Sequence, residues 1–382
     1  MQWTRIGVAL AASAVLLPVG LNAWGTFTEG RAIAARALRL EAVGRAALER
    51  GDPEVAERAF AQAVGNLGER PSLRDALLDA RIALILREPA NVDLRGALRL
   101  QVELEDALAG ARVSDARTRL ALGRVLLFRG QLEAATREFE TVAKIAAAPA
   151  LAHLFLGDAY LKQAKYDLAA PSLSRTLELE PTNALAMLAL GQVRLAQKRY
   201  DEAADLLGKA ALTLTRNAPL QFSLGRAQFH REKYTEARDA LEAALAQDAS
   251  FVTAHAYLGR AYAKLNQADA AVGALKMAWD KAGDVEAYAD LGRVLLQLGR
   301  LEEGAQVART LASLRPKDPE PYMALSLVAE TAGDFASAEA LVAQAEKRIE
   351  GLEEKAQWPE AVASRRASIA KSRGAAGTRK PR

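Results

Sequence analysis

The sequence predicts an all-α fold, a superhelical solenoid of stacked helical hairpins, and three observations carry that prediction. A Leu-Gly pair recurs at a fixed interval. Its glycines are Gly123, Gly157, Gly191, Gly225, Gly259 and Gly292, spaced by 34 residues with one final step of 33, and Ser326 holds the same place one period on. A small residue follows each of them twelve positions later: Ala135, Ala169, Ala203, Ala237, Ala271, Gly304 and Ala338. An earlier copy supplies Gly44 and Ala56. Composition agrees, because 51% of residues are apolar, only 5% are aromatic, and alanine and leucine, the strongest helix formers, dominate.

Taken in chain order, residues 1–5 form a short basic n-region. Residues 6–27 are an uncharged, mainly apolar run. As a helix that run spans about 33 Å, close to the thickness of a bilayer's hydrocarbon core. Trp3 and Trp24 bracket it as interfacial aromatics do. Two readings follow: an uncleaved transmembrane anchor, or a signal peptide cut after Gly25, for which Pro18 and Gly20 are helix breakers. Residues 28–36 read as a linker and 37–70 as the first repeat. Residues 71–115 lose the phase but still look helical, in two pieces divided by "REPAN", an atypical hairpin. Seven contiguous repeats fill 116–352, starting at 116, 150, 184, 218, 252, 285 and 319. Residues 353–372, interrupted by Pro359, read as a polar capping helix, and 373–382 as a basic disordered tail.

Within each repeat the pattern gives two amphipathic helices with a turn between them, as in "AYLKQAKYDLAAPSL". One hairpin alone cannot bury its apolar stripe, so neighbours stack and share a core. The small residues at positions 8 and 20 of the repeat let helices approach closely, which makes them packing residues. Leu-Gly, then alanine, then proline at Pro181 and Pro316, on a period of 34, resembles the tetratricopeptide repeat. The resemblance covers eight copies. It implies a non-enzymatic interaction scaffold whose first-helix face, positions 2, 5, 9 and 12, receives partner peptides.

Little else in the sequence points to chemistry. Cysteine is absent, which excludes disulfides, thiolate metal sites and a cysteine nucleophile. No metalloprotease, phosphate-loop or dinucleotide motif is present, and no Ser/His/Asp set can be assembled. His153 and His255 share position 4, on the packing side of the first helix; His230 stands apart. Glu302 and Glu303 read as solvated. The expectation is no enzyme, no cofactor and no metal.

Position 9 is the informative one. It holds Arg45, Arg124, Arg226, Arg260 and Arg293, with Asp158, Gln192 and Leu327 in the other repeats. Arg45 has Glu41 four residues back and Arg293 has Asp290 three back, so both can pair locally. Arg124, Arg226 and Arg260 have no acid on their own helix, which leaves two readings for them: ligand contact, or pairing across helices. Phe222, Phe229 and Tyr257 add aromatic surface beside Arg226 and Arg260. With His230 and Lys264, these residues make a candidate partner-binding groove. An arginine row focuses positive potential, so the expected ligand is an acidic or C-terminal peptide segment or an anionic polymer. The resemblance also carries a negative: chaperone-binding members place asparagine at position 9, and arginine here does not support that partner.

The net charge of +4 is local in origin. Residues 361–382 hold seven Lys/Arg and no acid, and removing those seven from 51 basic residues leaves 44 against 47 acidic. A near-neutral body gives no expectation of nucleic acid. The basic end reads as a solubilising extension, or as a contact for anionic lipid. Orientation also has two readings. Arg5 before the apolar run favours export, whereas Arg31, Arg36, Arg39 and Arg45 after it favour a cytoplasmic flank. The Ala- and Arg-heavy composition suits a bacterium, so the leading expectation is a scaffold on the periplasmic side of the inner membrane, serving a cell-envelope machine. A cytoplasm-facing regulatory adaptor is the alternative.

Overall fold

The computed structural model describes residues 31–67, 70–87, 94–110, 115–145, 147–350 and 358–378, and all regular structure among them is helical. Residues 6–27, with Trp3 and Trp24, lie outside these. No described helix is long and apolar enough to cross a membrane. The chain divides into two compact units at Pro181.

The first unit contains α1 (31–49), α2 (Pro53–Leu67), α3 (Pro71–Arg87), α4 (Leu94–Ala109), α5 (Asp115–Phe128), α6 (Leu132–Ala143), α7 (Ala150–Lys162) and α8 (Tyr166–Leu179). The described part of α1 takes in residues 31–36, inside the stretch expected to be a linker, and residues 31–40 contain no Gly or Pro to interrupt it. The atypical stretch folds as α3 and α4. Helix α3 packs on α2 and α5, and α4 packs on α5. Arg81 on α3 joins it to the helices on either side in sequence, donating to Glu103 of α4 at 2.7 Å and to Glu57 of α2 at 3.4 Å.

The second unit contains α9 (Ala184–Ala196), α10 (Tyr200–Ala211), α11 (Ala218–His230), α12 (Tyr234–Gln247), α13 (Val252–Lys264), α14 (Ala268–Ala282), α15 (Val285–Gln297), α16 (Leu301–Leu314), α17 (Glu320–Thr331), α18 (Phe335–Ile349) and α19 (Trp358–Thr378). Each helix packs on the next in sequence, and first helices of successive repeats also touch, α9 on α11, α11 on α13 and α13 on α15. The last helix runs to Thr378, six residues past the expected end of the cap and into the stretch expected to be disordered. Pro359 does not interrupt it, because at the second helical residue its missing N–H would have no intrahelical acceptor.

The period has a steric cause. A Cβ added at Gly157 would lie 2.5 Å from Leu173 Cγ, at Gly191 2.7 Å from Leu207 Cγ, at Gly225 2.6 Å from Leu241 Cγ and at Gly259 2.6 Å from Leu275 Cγ. Gly44 and Gly123 receive Phe60 and Phe139 in the same way, and Gly292 receives Val307. The large side chain comes from the second helix of the same hairpin. Its own neighbours are the position-20 alanines, and Ala135, Ala169, Ala203, Ala237, Ala271 and Ala338 are all 0% exposed. Successive hairpins are joined by further contacts of repeated form: Tyr160 donates to Glu140 and Tyr262 to Glu242, both at 2.6 Å. Burial, then that hydrogen bond and the carboxylate's charge, pushes both phenols up to about 12.

The turn inside each hairpin is equally regular. Its middle residue is left-handed in every described repeat: Gly51, Gly130, Gly299 and Gly333 have φ between 71° and 82°, and Ala164, Lys198, Glu232 and Asn266 between 57° and 61°. The residue after it closes the helix by donating five back, as Lys165 does to Tyr160 and Arg199 to Arg194. Alanine, lysine and glutamate each carry left-handed strain there. Lys198→Gly and Glu232→Gly are therefore expected to raise stability by about 0.5–1 kcal/mol each, relieved strain less the added freedom of unfolded glycine. Gly130→Ala should lower it. Guanidinium unfolding checks both, and a loss in the first two would contradict this account of the turn.

Candidate functional site

Four of the position-9 residues, Arg124, Gln192, Arg226 and Arg260, share a kind of neighbour, since each reaches position 6 of the following repeat's first helix. Arg124 lies 4.4 Å from the centre of the Phe155 ring. Gln192 Nε2 donates to Ser223 Oγ at 3.4 Å, Arg226 lies over Tyr257, and Arg260 Nε donates to Asp290 Oδ2 at 2.5 Å. Position 9 is thus first of all a link between repeats.

For most of the arginine row the pairing is complete. Arg45 binds Glu41 at 2.8 Å on its own helix. Arg293 bridges Asp290 at 2.8 Å and Glu320 at 3.2 Å. Burial raises the Glu320 carboxyl, opposed by Arg293. Arg124 donates through Nη1 to the Leu86 carbonyl at 2.9 Å, in the last turn of α3, where a cation suits the helix dipole. Burial pulls its pKa down to about 10, opposed by Asp158. A continuous row of uncompensated charge is therefore not what this face presents. Asp290 and Glu320 neutralise the two arginines of the fifth and sixth contiguous repeats, and sequence reasoning missed the Arg260 partner by looking only along one helix.

Arg226 is the exception. Its guanidinium carbon sits 5.4 Å from the ring centres of both Phe222 and Tyr257. No carboxylate among the described residues pairs with it, and its Nε is buried without a hydrogen-bond partner. The rings around it form one cluster. Phe222 meets Phe251 edge-on at 4.9 Å, Phe229 meets Tyr257 at 5.8 Å and Tyr234 at 5.6 Å, and His230 stacks on Tyr200 at 4.4 Å. Burial lowers the His230 pKa, and the charges of Arg226 and Arg260 lower it further, so the imidazole is uncharged at neutral pH. Lys264, at the end of α13, is exposed and outside the cluster. The arrangement is a half-buried cation between aromatic walls, on the face that carries positions 5, 9 and 12.

His153 and His255 are partly buried, and burial lowers both pKa values, with Arg175 and Lys281 acting in the same direction. Glu303 is held by Arg300 in the first turn of α16. No group of three or more His, Asp or Glu among the described residues could hold a metal ion. The different states of Arg226 and Arg260 have a measurable consequence. Arg260→Met is expected to cost about 1.5–3 kcal/mol, the worth of a charge-assisted hydrogen bond, whereas Arg226→Met removes a cation with an orphaned donor and should cost nothing or stabilise. Thermal unfolding midpoints check this. Equal losses would mean that Arg226 has an intramolecular partner.

Comparison with known proteins agrees with this architecture. One tetratricopeptide repeat model matches residues 154–219 and 289–353, and a second matches 228–291. No curated protein matches the chain. Among solved structures it is similar to pilF of Pseudomonas aeruginosa, at 20% identity over 54% of this chain and 95% of that one, with a TM-score of 0.47. It is also similar to YrrB, a TPR protein described as having an unusual peptide-binding site, at 18% identity over 51% and 97%, with a TM-score of 0.44. A tetratricopeptide repeat protein from Parabacteroides merdae ATCC 43184 matches at 15% identity over 69% and 99%, with a TM-score of 0.44. The two repeat models together take in half of the sequence, within the stretch of hairpins described above, and the chain belongs to the tetratricopeptide repeat family.

Proposed function

We propose that this protein is a non-enzymatic interaction scaffold that holds an acidic peptide segment of a partner against the first-helix face of residues 182–349, with Arg226 as its anchor. The observation that carries this reading is the one unpaired position-9 arginine, its Nε buried and its charge bounded by Phe222 and Tyr257. A carboxylate entering there pairs with a guanidinium that has no carboxylate partner among the described residues. It does so where rings exclude water and charge-assisted hydrogen bonds are strong. The aromatic walls supply rigid apolar area for the residue beside that carboxylate.

The reading is tested by fluorescence polarisation against an array of acidic peptides, each made with a free and with an amidated C-terminus. Arg226→Glu should weaken the best binder tenfold or more, a loss of about 1.4 kcal/mol. Lys264→Glu makes the same charge change outside the cluster and should alter affinity by about twofold, as a remote exposed charge does. Equal effects of the two variants would reduce the site to general charge attraction and overturn the anchor. The free and amidated sets separate an internal acid from a chain terminus.

We further propose that residues 6–27 tether the scaffold to a bacterial inner membrane, where it positions partners of a cell-envelope assembly such as pilus, secretion, motility or exopolysaccharide machinery. This rests on the length and apolarity of that run and on Trp3 and Trp24 at its ends. The alternative, a cytoplasm-facing adaptor with its basic end on lipid, is weakened by one observation. Arg365, Arg366 and Arg373, three of the seven basic residues of that end, are engaged by Glu330, Glu346 and Glu339. The chain has no cysteine, so Ser313→Cys, at an exposed site, provides a single thiol. Labelling in intact cells by a reagent that crosses only the outer membrane is the expected outcome. Labelling only after lysis would place the array in the cytoplasm.

A further inference from the structure

The last repeat departs from its predecessors at two positions. Position 8 is glycine at Gly44, Gly123, Gly157, Gly191, Gly225, Gly259 and Gly292, but serine at Ser326. Position 12 is apolar at Leu48, Leu127, Leu161, Leu195, Phe229, Ala263 and Leu296, but glutamate at Glu330. Both exceptions lie on α17, and both bind the same residue of α19. Arg365 Nε donates to Ser326 Oγ at 2.9 Å, and its Nη1 lies 2.5 Å from Glu330 Oε2. The other Glu330 oxygen accepts from Ser368 at 2.9 Å and Ser372 at 2.6 Å. Glu330 is only 9% exposed. Burial alone would raise its carboxyl, but the two serine hydroxyls and Arg365 outweigh this and hold it below its ordinary value.

Around this polar centre the contact is small. Val362 and Ile369 enter an apolar patch with Ala338, Val342 and Ile349, edged by Met323, Phe335 and Trp358. Two further ion pairs lie at the rim, Arg366 with Glu346 at 2.6 Å and Arg373 with Glu339 at 3.0 Å. A helix that served only to cover the end of the stack would need an apolar stripe and a polar back. Replacing a buried ion pair by apolar residues is commonly neutral or stabilising, so what Glu330 and Ser326 add is discrimination: they accept an arginine at one register and reject a helix that lacks it.

We propose that α17 and α18 form a recognition site for an arginine-bearing amphipathic helix, that α19 occupies it as a ligand in cis, and that a partner protein's helix of the same pattern enters by displacing α19. The pattern is an apolar residue, arginine three positions on, serine three further, then an apolar residue and a second serine, as in Val362, Arg365, Ser368, Ile369 and Ser372. Three carboxylates, Glu330, Glu339 and Glu346, make the site complementary to a basic helix. Because α19 is tethered, it competes at an effective concentration on the order of millimolar, so the incoming helix binds well only when the hold of α19 is loosened.

The test uses the full chain and a labelled 21-residue helical peptide that keeps those five residues and has alanine and lysine elsewhere. Arg365→Ala in the chain loosens α19 but leaves Glu330 and Ser326 in place. Peptide affinity should then rise tenfold or more over the unaltered chain, and a peptide with alanine at the arginine position should lose that gain. Glu330→Gln in the chain loosens α19 as well but removes the carboxylate charge that pairs with the arginine, so it should give no gain. A gain in neither variant, or the same gain in both, overturns the proposal. Should Arg365→Ala fail to fold, hydrogen exchange on the unaltered chain decides it. Excess peptide must speed exchange of amides 362–372 and leave those of α17 unchanged, and no change at 362–372 overturns the displacement. A doubled mass in light scattering that Glu330→Gln abolishes would assign the site to a second copy of this chain and overturn the partner-helix reading.

Discussion

The architecture depends on one steric constraint, the absence of a side chain at position 8 of each repeat. There a leucine, a phenylalanine or, at Gly292, a valine from the second helix occupies the volume a Cβ would need, with approaches of 2.4 to 2.9 Å to a hypothetical Cβ at seven glycines. This sets how closely the two helices of a hairpin pack, and so where the position-20 alanines fall and how the next hairpin can dock. The repeat tolerates lysine, glutamate, alanine or asparagine in a left-handed turn, where glycine is strongly favoured on conformational grounds. It tolerates serine at position 8 only in the last copy, where the neighbouring helix is α19. Packing is therefore the stricter constraint and backbone conformation the looser one.

The fold was legible because that constraint is periodic. A single Leu-Gly would have meant nothing, but the same pair on a fixed interval, with alanine twelve residues on, leaves one class of structure. The turn glycines at 51, 130, 299 and 333 keep the same period but do not display it, because the intervening copies replace them with residues of no common chemistry. The limit of the last helix was less legible: Gly374 and Gly377 suggest an earlier stop, yet α19 continues to Thr378.

The candidate site was legible in part, for a reason that can be stated. Helical spacing puts Phe222, Phe229 and His230 beside Arg226 and Tyr257 beside Arg260, and the structure brings all four rings into one cluster. Arg260 was grouped with Arg226 because neither has an acid three or four residues away, yet Asp290 lies thirty residues ahead and binds it. In a stacked array the relevant neighbour lies one repeat on and three positions back, at an interval of 30 or 31. Comparing position 9 with position 6 of the following copy would have separated Arg226, which meets tyrosine, from Arg260, which meets aspartate. The Arg365 lock was beyond such a comparison, since α19 belongs to no repeat and has no register to count from.

The closing of the array by α19 has a consequence for the solution behaviour of the molecule. Each repeat offers its successor a surface that differs from the one it offers its predecessor, so the interaction is head-to-tail and has no internal symmetry that limits it. A stack of this kind, left bare at its end, presents a surface built to accept another first helix, and molecules that meet there add without closure. Polymerisation into open-ended filaments is the inherent hazard of such a design. A terminal helix that demands arginine at one register, and that turns its exposed alanines, serines and lysine outward, leaves the growing end with no acceptor. In that respect the two exceptional residues of the last repeat act as a chain terminator.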